Sequence, residues 1–205
     1  MIDGGLVHVV DDDESLRTAI GRLLRSVGHE VELHASATGF ADRYAPRDIP
    51  TCLLLDVRLP GVSGLDFQSR LEKLGIDLPV IMMTGHGDIP MSVQAMKAGA
   101  VDFLPKPFRD QDLLDAIAVA HERAVAKMDL DKSLEALRAR FETLSPREKE
   151  VMSHVTQGRL NKQVAGDLLL SEITVKVHRG SAMRKMGART LADLVKMSET
   201  LRVAG

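Results

Sequence analysis

The stretch "LVHVVDDDESLRTAI", residues 6–20, joins a short apolar run to four consecutive acids. An apolar run of this length is typical of a buried strand, and the residues after the acids have helical spacing up to Gly28. Neighbouring carboxylates repel one another unless a cation or a proton neutralises them. The acids therefore indicate either the solvated start of a helix or a site for a cation. The residues on the apolar helical face are Leu16, Ile20, Leu23, Leu24 and Val27.

The same alternation of strand and helix continues through the first 125 residues. Further apolar runs are "EVELH" (30–34), "CLLL" (52–55), "VIMM" (80–83) and "VDFL" (101–104). Helical spacing follows around 37–44, 64–74, 90–98 and from 110 onward. Five successive strand–helix units predict a parallel sheet with helices on both faces. "EVELH" alternates between polar and apolar residues, which is typical of an edge strand.

The remainder of the chain is predicted to be helical. Residues 110–142 contain no Gly or Pro, and Leu130, Leu134, Leu137 and Phe141 form an apolar stripe. The stripe allows packing on either domain or on a second copy of the chain. After "TLSPREKE", where Ser145 has the position of a helix cap, helices are predicted near 146–157, 161–169, 172–186 and 191–201.

The composition is that of an ordinary soluble globular protein, with 44% hydrophobic and 27% charged residues in a chain of 205. The lone Cys52 excludes an intramolecular disulfide and a cysteine-based zinc site, and it fits a reducing compartment. No apolar run approaches the ~20 residues of a membrane span, and no signal peptide is evident. We therefore expect a cytoplasmic protein that does not enter membranes.

The two parts of the chain carry opposite charge. Residues 1–142 contain 16 Lys and Arg against 23 Asp and Glu, whereas residues 143–205 contain 11 against 6. Such an asymmetry predicts two domains with different partners, and the basic one suits a polyanion.

Polar side chains follow four of the predicted strands, where the crevice of a parallel sheet lies. Asp11 and Asp12 follow the first strand, Asp56 the third, Thr84 the fourth and Lys106 the fifth. Three carboxylates suit Mg²⁺, for which Mn²⁺ can substitute. Asp56 would then act as a nucleophile toward a phosphoryl donor. Thr84 would donate to one phosphoryl oxygen, and Lys106 would pair with another.

Several residues of this rim also have a simpler interpretation, although Asp56, after a wholly apolar run, is harder to explain without a partner. Asp13 and Glu14 are explained as the cap and first-turn acid of the following helix, and they receive no site role. Considered by themselves, Asp11 and Asp12 could also be acids at the start of that helix. Lys106 by itself could be a surface lysine in a rigid turn. "HEVELH" resembles a zinc-protease motif, but its histidines are five apart on a strand and do not share a helical face. The joint placement on one rim favours a site.

The motifs on this rim carry a resemblance. "VVDDDESLR", "LLLDVRLPGVSGLD", "MMTGHGD" and "AMKAGAVDFLPKPF" resemble the receiver domain of bacterial two-component response regulators over about residues 5–125. The resemblance implies an α/β flavodoxin-like fold with a five-stranded parallel sheet in the order 2-1-3-4-5.

The receiver resemblance also implies a role for each matching residue. Asp11 and Asp12 are the acidic pair, and Asp12 is a direct metal ligand. Asp56 is the phosphoacceptor and a metal ligand, and the backbone carbonyl of Arg58 completes the metal shell. Thr84 is the switch hydroxyl. The remaining implied roles are a switch aromatic at Phe103, a phosphate-binding lysine at Lys106 and a cis bond from Lys106 to Pro107.

Within the basic part of the chain, residues 161–187 are predicted to form a helix, a turn and a second helix. Their sequence is "NKQVAGDLLLSEITVKVHRGSAMRKMG". Val164, Ala165, Leu168 and Leu170 are expected to face inward from the first helix, and Val175, His178, Met183 and Met186 from the second. Cations on the exposed side suit entry into a major groove. The simpler interpretation is a solvated basic helix in a small bundle. The cations are Lys176, Arg179, Arg184 and Lys185.

The stretch "LSPREKEVMSHVTQGRLNKQVAGDLLLSEITVKVHRGSAMRKMGARTLADLV" resembles the LuxR-type four-helix DNA-binding domain. The resemblance implies that Lys176, Val177 and Arg179 lie at or near base edges, and that Lys162 and Thr174 lie near phosphates. Gly180 departs from the family pattern because it offers no side chain to a base in the middle of a helix.

Together the two resemblances identify the chain as a member of the FixJ subgroup of the NarL/FixJ class. They predict a receiver domain at 1–125, a helical linker at 126–142 and a helix-turn-helix domain at 143–205. A cognate histidine kinase would phosphorylate Asp56, and the phosphorylated chain would form a homodimer through "IPMSVQAMKAGAVDF" and bind promoter DNA. RNA polymerase is a candidate partner, and no turnover enzyme is expected.

Three alternatives stay open at this point. The long helix at 110–142 would hold the basic domain against the receiver until phosphorylation. An aspartyl-phosphate phosphatase of the haloacid dehalogenase kind would need an acid two residues after its nucleophile, where this chain has Arg58. A DNA-binding protein that does not depend on phosphorylation would retain the acidic pocket without use.

Overall fold

The structure is a computed structural model that describes residues 4–85 and 89–203. The chain divides into two compact units between Met128 and Asp129. The first unit contains the sheet, and the second contains helices only among its described residues.

The first unit is built on a five-stranded parallel sheet. Its order is β2-β1-β3-β4-β5, which confirms the predicted order. The middle strands β3 and β4 are buried along their whole length, and β2 alternates as predicted for an edge. The strands are β1 (Leu6–Val10), β2 (Glu30–His34), β3 (Thr51–Asp56), β4 (Val80–Thr84) and β5 (Asp102–Pro105).

Helices cover both faces of this sheet, as the alternating pattern predicts. One face packs around Val9, Leu54 and Ile117, and the other around Leu55 and Phe67. No helix within the described ranges is both long and apolar enough to cross a membrane. The helices that begin in this unit are α1 (Glu14–Ser26), α2 (Ala37–Ala41), α3 (Gly64–Gln68), α4 (Ile89–Lys97) and α5 (Asp110–Glu142).

The continuous helix predicted for 64–74 is wrong in its second half. α3 ends at Gln68, and a separate 3₁₀ turn spans Glu72–Leu74. The buried amide of Gln68 donates to the carbonyls of Ala95 and Ala98, at 3.4 and 3.1 Å. These carbonyls lie in the last turn of α4 and just beyond it, where helices leave acceptors without intrahelical partners. Tertiary hydrogen bonding thus accompanies the end of the helix at this residue.

Two smaller expectations for the helices also differ from the structure. Helix α2 ends at Ala41 rather than near residue 44, and Pro46 follows closely, which disfavours a longer helix. Val27, expected on the apolar face of α1, is the residue after its last turn and is 49% exposed.

The second unit contains α6 (Pro146–Thr156), α7 (Asn161–Leu168), α8 (Glu172–Met186) and α9 (Leu191–Val203). Their core includes Val151, Val164, Val175 and Leu194. The predicted stripe on α5 is divided: Leu137 and Phe141 pack against this core, whereas Leu130 is exposed. The predicted cap at Ser145 is confirmed, and it is part of a capping box in which Ser145 and Glu148 satisfy each other's backbone N–H groups.

The single cysteine lies inside the sheet. Cys52 in β3 is fully buried, and burial raises the pKa of its thiol to about 12. A thiol with such a pKa is almost entirely protonated at neutral pH and therefore poorly nucleophilic.

Candidate functional site

The carboxyl ends of β1 and β3 bring three acids together. Because Val10 is paired with Leu55 in the sheet register, Asp11 and Asp56 lie side by side at this edge. One carboxylate oxygen from each of Asp11, Asp12 and Asp56 lies within 4.8 Å of the others. Asp11 and Asp56 are buried, whereas Asp12 is exposed. These oxygen donors fit a hard divalent ion such as Mg²⁺, which the prediction requires.

The neighbouring acids divide between site and helix cap. Asp13 accepts hydrogen bonds from the backbone N–H groups of Ser15 and Leu16, at 2.8 and 3.0 Å, and is the cap of α1. Glu14 lies in the first turn, where the helix dipole favours an acid. Both expectations are confirmed, and the acid run therefore contains a cap as well as a pocket.

Lys106 brings a cation to the same pocket. Its Nζ lies 2.6 Å from a carboxylate oxygen of Asp11 and 3.0 Å from one of Asp56. Its backbone N–H donates to the carbonyl of Thr84 at 2.6 Å, which joins the ends of β4 and β5. The bond from Lys106 to Pro107 is cis, as the resemblance implies. The structure thus places Lys106 against two of the three carboxylates predicted to bind the metal.

The pocket changes the acidity of its groups. Burial raises the pKa of Asp56, and the hydrogen bond from Lys106 opposes this change. Burial alone would lower the pKa of Lys106, but its contacts with Asp11 and Asp56 outweigh burial and raise it. Lys106 is therefore held in its charged form beside the predicted phosphoacceptor.

The turn after β3 is held tightly against Asp56. The backbone N–H of Arg58 donates to a carboxylate oxygen of Asp56 at 3.3 Å, and the N–H of Gly64 donates to the Val57 carbonyl at 2.8 Å. A side chain at Gly64 would collide with the Asp56 carbonyl. This backbone lies next to the acids, while the role of the Arg58 carbonyl as a metal ligand stays a prediction.

Thr84 lies on β4, the strand next to β3, and Phe103 lies on β5, one strand farther out. Thr84 is completely buried at the end of β4, and its hydroxyl lies 4.0 Å from the Met91 sulfur. Phe103 is half-buried in β5 and packs against one of the two sheet cores. Their switch roles stay predictions. Residues 86–88 of "MMTGHGD" lie outside the described residues.

Two contacts of the pocket were not anticipated from the sequence. The guanidinium of Arg17 donates to the Asp11 carbonyl at 2.6 Å, which ties α1 to the acidic edge. Met91, at the start of α4, lies beside Thr84. The position of Arg17 one turn into α1 is compatible with such a contact, but neither residue has a local pattern that identifies its partner.

The second candidate surface is the α7–turn–α8 segment. Leu169 ends α7 in the left-handed conformation, with φ 54°, and Ser171 caps α8 by accepting from the Thr174 N–H at 3.1 Å. Val175 and Met186 of α8 are buried, and Met183 and His178 are both partly buried. The predicted inward face is therefore confirmed for its apolar members.

The predicted DNA-contacting residues lie on the first turn of α7 and on the first two turns of α8. Lys162, Lys176 and Val177 are exposed, and Thr174 is half-buried. Arg179 donates to the side-chain oxygen of Asn161 at 3.2 Å, which fixes its guanidinium near the start of α7. Lys185 differs from the expected free cation because it pairs with Glu148 at 2.6 Å.

We expect Gly180→Ala to stabilise the second unit by about 1 kcal/mol, because glycine is unfavourable inside a helix by that amount. An added Cβ would meet only the Arg184 guanidinium, at 3.8 Å, which is an ordinary contact. Urea unfolding followed by circular dichroism measures the change. Gly187→Ala is the contrasting control, since φ 75° there strains any other residue. Equal responses at both positions would contradict this explanation.

Comparison with known proteins matches both units. The family described as "Response regulator receiver domain" matches residues 7–118, and "Bacterial regulatory proteins, luxR family" matches residues 142–198. Nodulation protein W of Bradyrhizobium diazoefficiens is 55% identical over 97% of this chain and 87% of its own. Transcriptional regulatory protein FixJ of Rhizobium meliloti is 45% identical over 94% of each chain.

A solved structure agrees with these matches. The response regulator StyR has a TM-score of 0.78 at 43% identity, covering 96% of this chain and 98% of its own. The resemblances read from the sequence are therefore confirmed at the level of the family. The chain belongs to the two-component response regulators that combine a receiver domain with a LuxR-type helix-turn-helix domain, and it is a transcriptional regulator of the FixJ kind.

Proposed function

We propose that a cognate histidine kinase phosphorylates Asp56 of this regulator, and that phosphorylation promotes dimerisation and promoter binding. In this scheme residues 1–125 form the receiver, 126–142 the linker and 143–205 the DNA-binding domain. The observation that carries the proposal is the contact of Lys106 with Asp11 and Asp56, at 2.6 and 3.0 Å, on an oxygen-rich edge. Because promoter DNA lies in the cytoplasm of bacteria, binding to it also favours a cytoplasmic location for the protein.

The chemistry assigned to Asp56 is a nucleophilic displacement. A carboxylate oxygen of Asp56 attacks the phosphorus atom, the bond from phosphorus to the donor breaks, and its electron pair leaves with the donor. Asp11, Asp12, Asp56 and the Arg58 carbonyl would hold Mg²⁺, or Mn²⁺ in its place. When bound, the ion would neutralise part of the negative charge on the phosphoryl group. Lys106 is close enough to Asp56 to pair with a phosphoryl oxygen.

Thr84 is assigned to bind another phosphoryl oxygen through its hydroxyl. It ends the strand next to β3 and shares a backbone hydrogen bond with Lys106, so the two residues are coupled through that bond. Phe103 lies on β5, one strand farther away. We assign Phe103 to the response that follows a shift of Thr84.

Intact mass after incubation with acetyl phosphate and Mg²⁺ tests this chemistry. We expect the wild type to gain one phosphoryl group and Asp56→Asn to gain none. Asp66→Asn is the matched control, since Asp66 is an exposed acid in the following helix. A phosphoryl group on Asp56→Asn would overturn the assignment. Equal DNA affinity of Asp56→Asn and phosphorylated wild type would instead favour a pocket without regulatory use.

Dimerisation is assigned to the surface of α4, β5 and the receiver part of α5. Val93 and Met96 on α4 and Val119 on α5 are exposed apolar side chains, which suit an interface. Two copies double the number of base contacts on a symmetric site. Light scattering before and after phosphorylation measures the change in mass, and a monomeric phosphorylated chain would count against this assignment.

DNA contacts are assigned to Lys176, Val177 and Arg179 at base edges and to Lys162 and Thr174 at phosphates. We expect Lys162→Ala to weaken binding about equally on all sequences and to reduce the salt dependence by one phosphate contact. Lys196→Ala, an exposed lysine on α9, is the control and should bind as the wild type does. Contacts with RNA polymerase would follow DNA binding.

A further inference from the structure

Two strands bring a second cluster of metal-ligating side chains together, away from the acidic pocket. His8 of β1 is paired with Glu32 of β2, and His34 follows Glu32 by two residues. Because side chains alternate along a strand, all three lie on the same face of the sheet. That face packs against α2, where the Phe40 ring centroid lies 5.1 Å from that of His8 and 5.3 Å from that of His34.

The distances within this cluster match those between ligands of one metal ion. Nδ1 of His8 lies 3.2 Å from Nε2 of His34 and 3.5 Å from Oε2 of Glu32. Nε2 of His34 lies 3.9 Å from the same Glu32 oxygen. A tetrahedral zinc ion with bonds of about 2.0–2.1 Å keeps its ligand atoms roughly 3.3 Å apart. The three atoms therefore need only small movements to surround one ion.

Both histidines offer neutral nitrogens to this cluster. Burial, and then the charges of His34 and Arg47, lower the pKa of His8 to about 4. Burial also lowers the pKa of His34. Metals bind the neutral imidazole through a nitrogen lone pair. Neither histidine therefore has to change from its charged to its neutral form before it binds a metal at neutral pH.

Packing alone does not account for a histidine at position 8. Its side chain is 2% exposed, and within the described part of the chain Nε2 has no hydrogen-bond partner. A buried polar atom without a partner is unfavourable by about 1–3 kcal/mol, and an aliphatic residue would avoid this. Nδ1 of His8 already lies at hydrogen-bond distance from Nε2 of His34, and an ion bound between these two atoms would hold both rings by their lone pairs, which an aliphatic residue cannot do.

The surroundings leave one side of the cluster open. The Glu32 side chain is about half exposed, so an ion and a water molecule can reach the site from the edge of the sheet. Two arginines lie near enough to influence the histidines. Arg47 is paired with Glu30 at 2.7 Å, and Arg43 contributes to the lowered pKa of His34. The Glu32 carboxylate supplies the negative charge that a divalent ion needs.

We propose that His8, Glu32 and His34 form a binding site for Zn²⁺, with water as the fourth ligand. Imidazole and carboxylate together suit zinc, whereas the three acids at the carboxyl edge suit magnesium. The bound ion would join β1 to the edge strand β2. The site belongs to the folded state, since its ligands come from two strands and His34 lies 26 residues after His8 in the sequence.

Titration of the full chain with Zn²⁺ in the presence of saturating Mg²⁺ tests the proposal by calorimetry. We expect one Zn²⁺ per chain for the wild type. Glu32→Gln and His34→Asn should each weaken binding at least roughly tenfold, since even the outer partners of zinc ligands contribute about 10–100-fold. Glu32 is partly exposed, so Glu32→Gln preserves the core, and circular dichroism checks its fold. His29→Asn, a neighbouring histidine outside the cluster, should bind as the wild type does.

The thermal midpoint gives a second readout, because an ion that binds only the folded chain raises it. Zn²⁺ should raise the midpoint of the wild type and of His29→Asn, and much less that of Glu32→Gln. Unchanged zinc affinity in both Glu32→Gln and His34→Asn would overturn the proposal. So would zinc binding that is lost in Asp56→Asn, because the ion would then occupy the acidic pocket.

Discussion

Lys106→Met is expected to lower the free energy of unfolding of the first unit by about 3 kcal/mol in buffer without divalent ions. The variant leaves the buried carboxylates of Asp11 and Asp56 side by side without their shared cation. Removal of one partner from a buried ion pair typically costs about 3–5 kcal/mol. Lys106 is 18% exposed, which favours the lower end of that range.

The same variant should bind Mg²⁺ more tightly, by roughly tenfold, because the lysine no longer competes with the ion for the two carboxylates. Mg²⁺ should therefore restore most of the lost stability. Urea unfolding with chelator and with Mg²⁺ measures both effects. The only tyrosine, Tyr44, lies in the first unit and reports its unfolding by fluorescence.

A matched control for Lys106→Met is Lys127→Met, which removes a pair with Asp77 on the surface of the same unit. Exposed pairs contribute about 1 kcal/mol or less, so this variant should stay close to the wild type with or without Mg²⁺. Equal destabilisation by the two variants, or no recovery of Lys106→Met in Mg²⁺, would contradict the competition that we describe.

Glu148→Gln is expected to lower the stability of the second unit by about 3 kcal/mol at neutral pH. Glu148 is buried and accepts from the Lys185 ammonium and the Ser181 hydroxyl, each at 2.6 Å, and from the Ser145 N–H at 2.7 Å. Hydrogen bonds to a charged group contribute about 1.5–3 kcal/mol each, and an amide retains part of them. Far-UV circular dichroism during urea unfolding measures the loss.

The effect of Glu148 should depend on pH in a defined direction. The Lys185 hydrogen bond and then that of Ser181 lower its pKa from the ordinary 4.5 to about 2. Because the pKa of Glu148 is lower in the folded chain than in the unfolded chain, its ionised carboxylate stabilises the fold fully above pH 4.5. This stabilisation is lost as the pH falls toward 2. The difference between wild type and Glu148→Gln should therefore shrink over that interval.

Glu150→Gln provides the control for Glu148, since it lies on the same helix and has only an exposed pair with Arg147. It should change stability by less than about 1 kcal/mol at neutral pH. A constant difference between wild type and Glu148→Gln from pH 4.5 to 2 would show that the lost contacts do not depend on ionisation.

Local patterns predict most of the fold because each element is encoded within its own segment. Every strand begins and ends within one residue of its predicted position, and the charged rim follows from the rule that parallel strands end at one edge. The end of α3 at Gln68 was missed because its amide bonds to carbonyls 27 and 30 residues away. Such a partner has no local signature.

Of the two candidate metal sites in the first unit, one could be predicted from the sequence and the other could not. The gathering of Asp11, Asp12, Asp56 and Lys106 follows from sheet topology alone. The cluster of His8, Glu32 and His34 does not, because it depends on the register between β1 and β2. "HEVELH" draws attention to His29, whereas the structure joins His34 to a histidine on another strand. A slip of one residue in register would reverse the faces and separate the cluster.

The burial of Cys52 makes this chain convenient for spectroscopic labelling. The chain has a single thiol, and that thiol is buried in β3 and almost entirely protonated at neutral pH. A cysteine introduced at an exposed position such as Val93 or Val177 would therefore be the only fast-reacting group for a maleimide dye. Fluorescent probes can thus be attached one at a time to the predicted dimer and DNA surfaces, without first removing the native cysteine from the core.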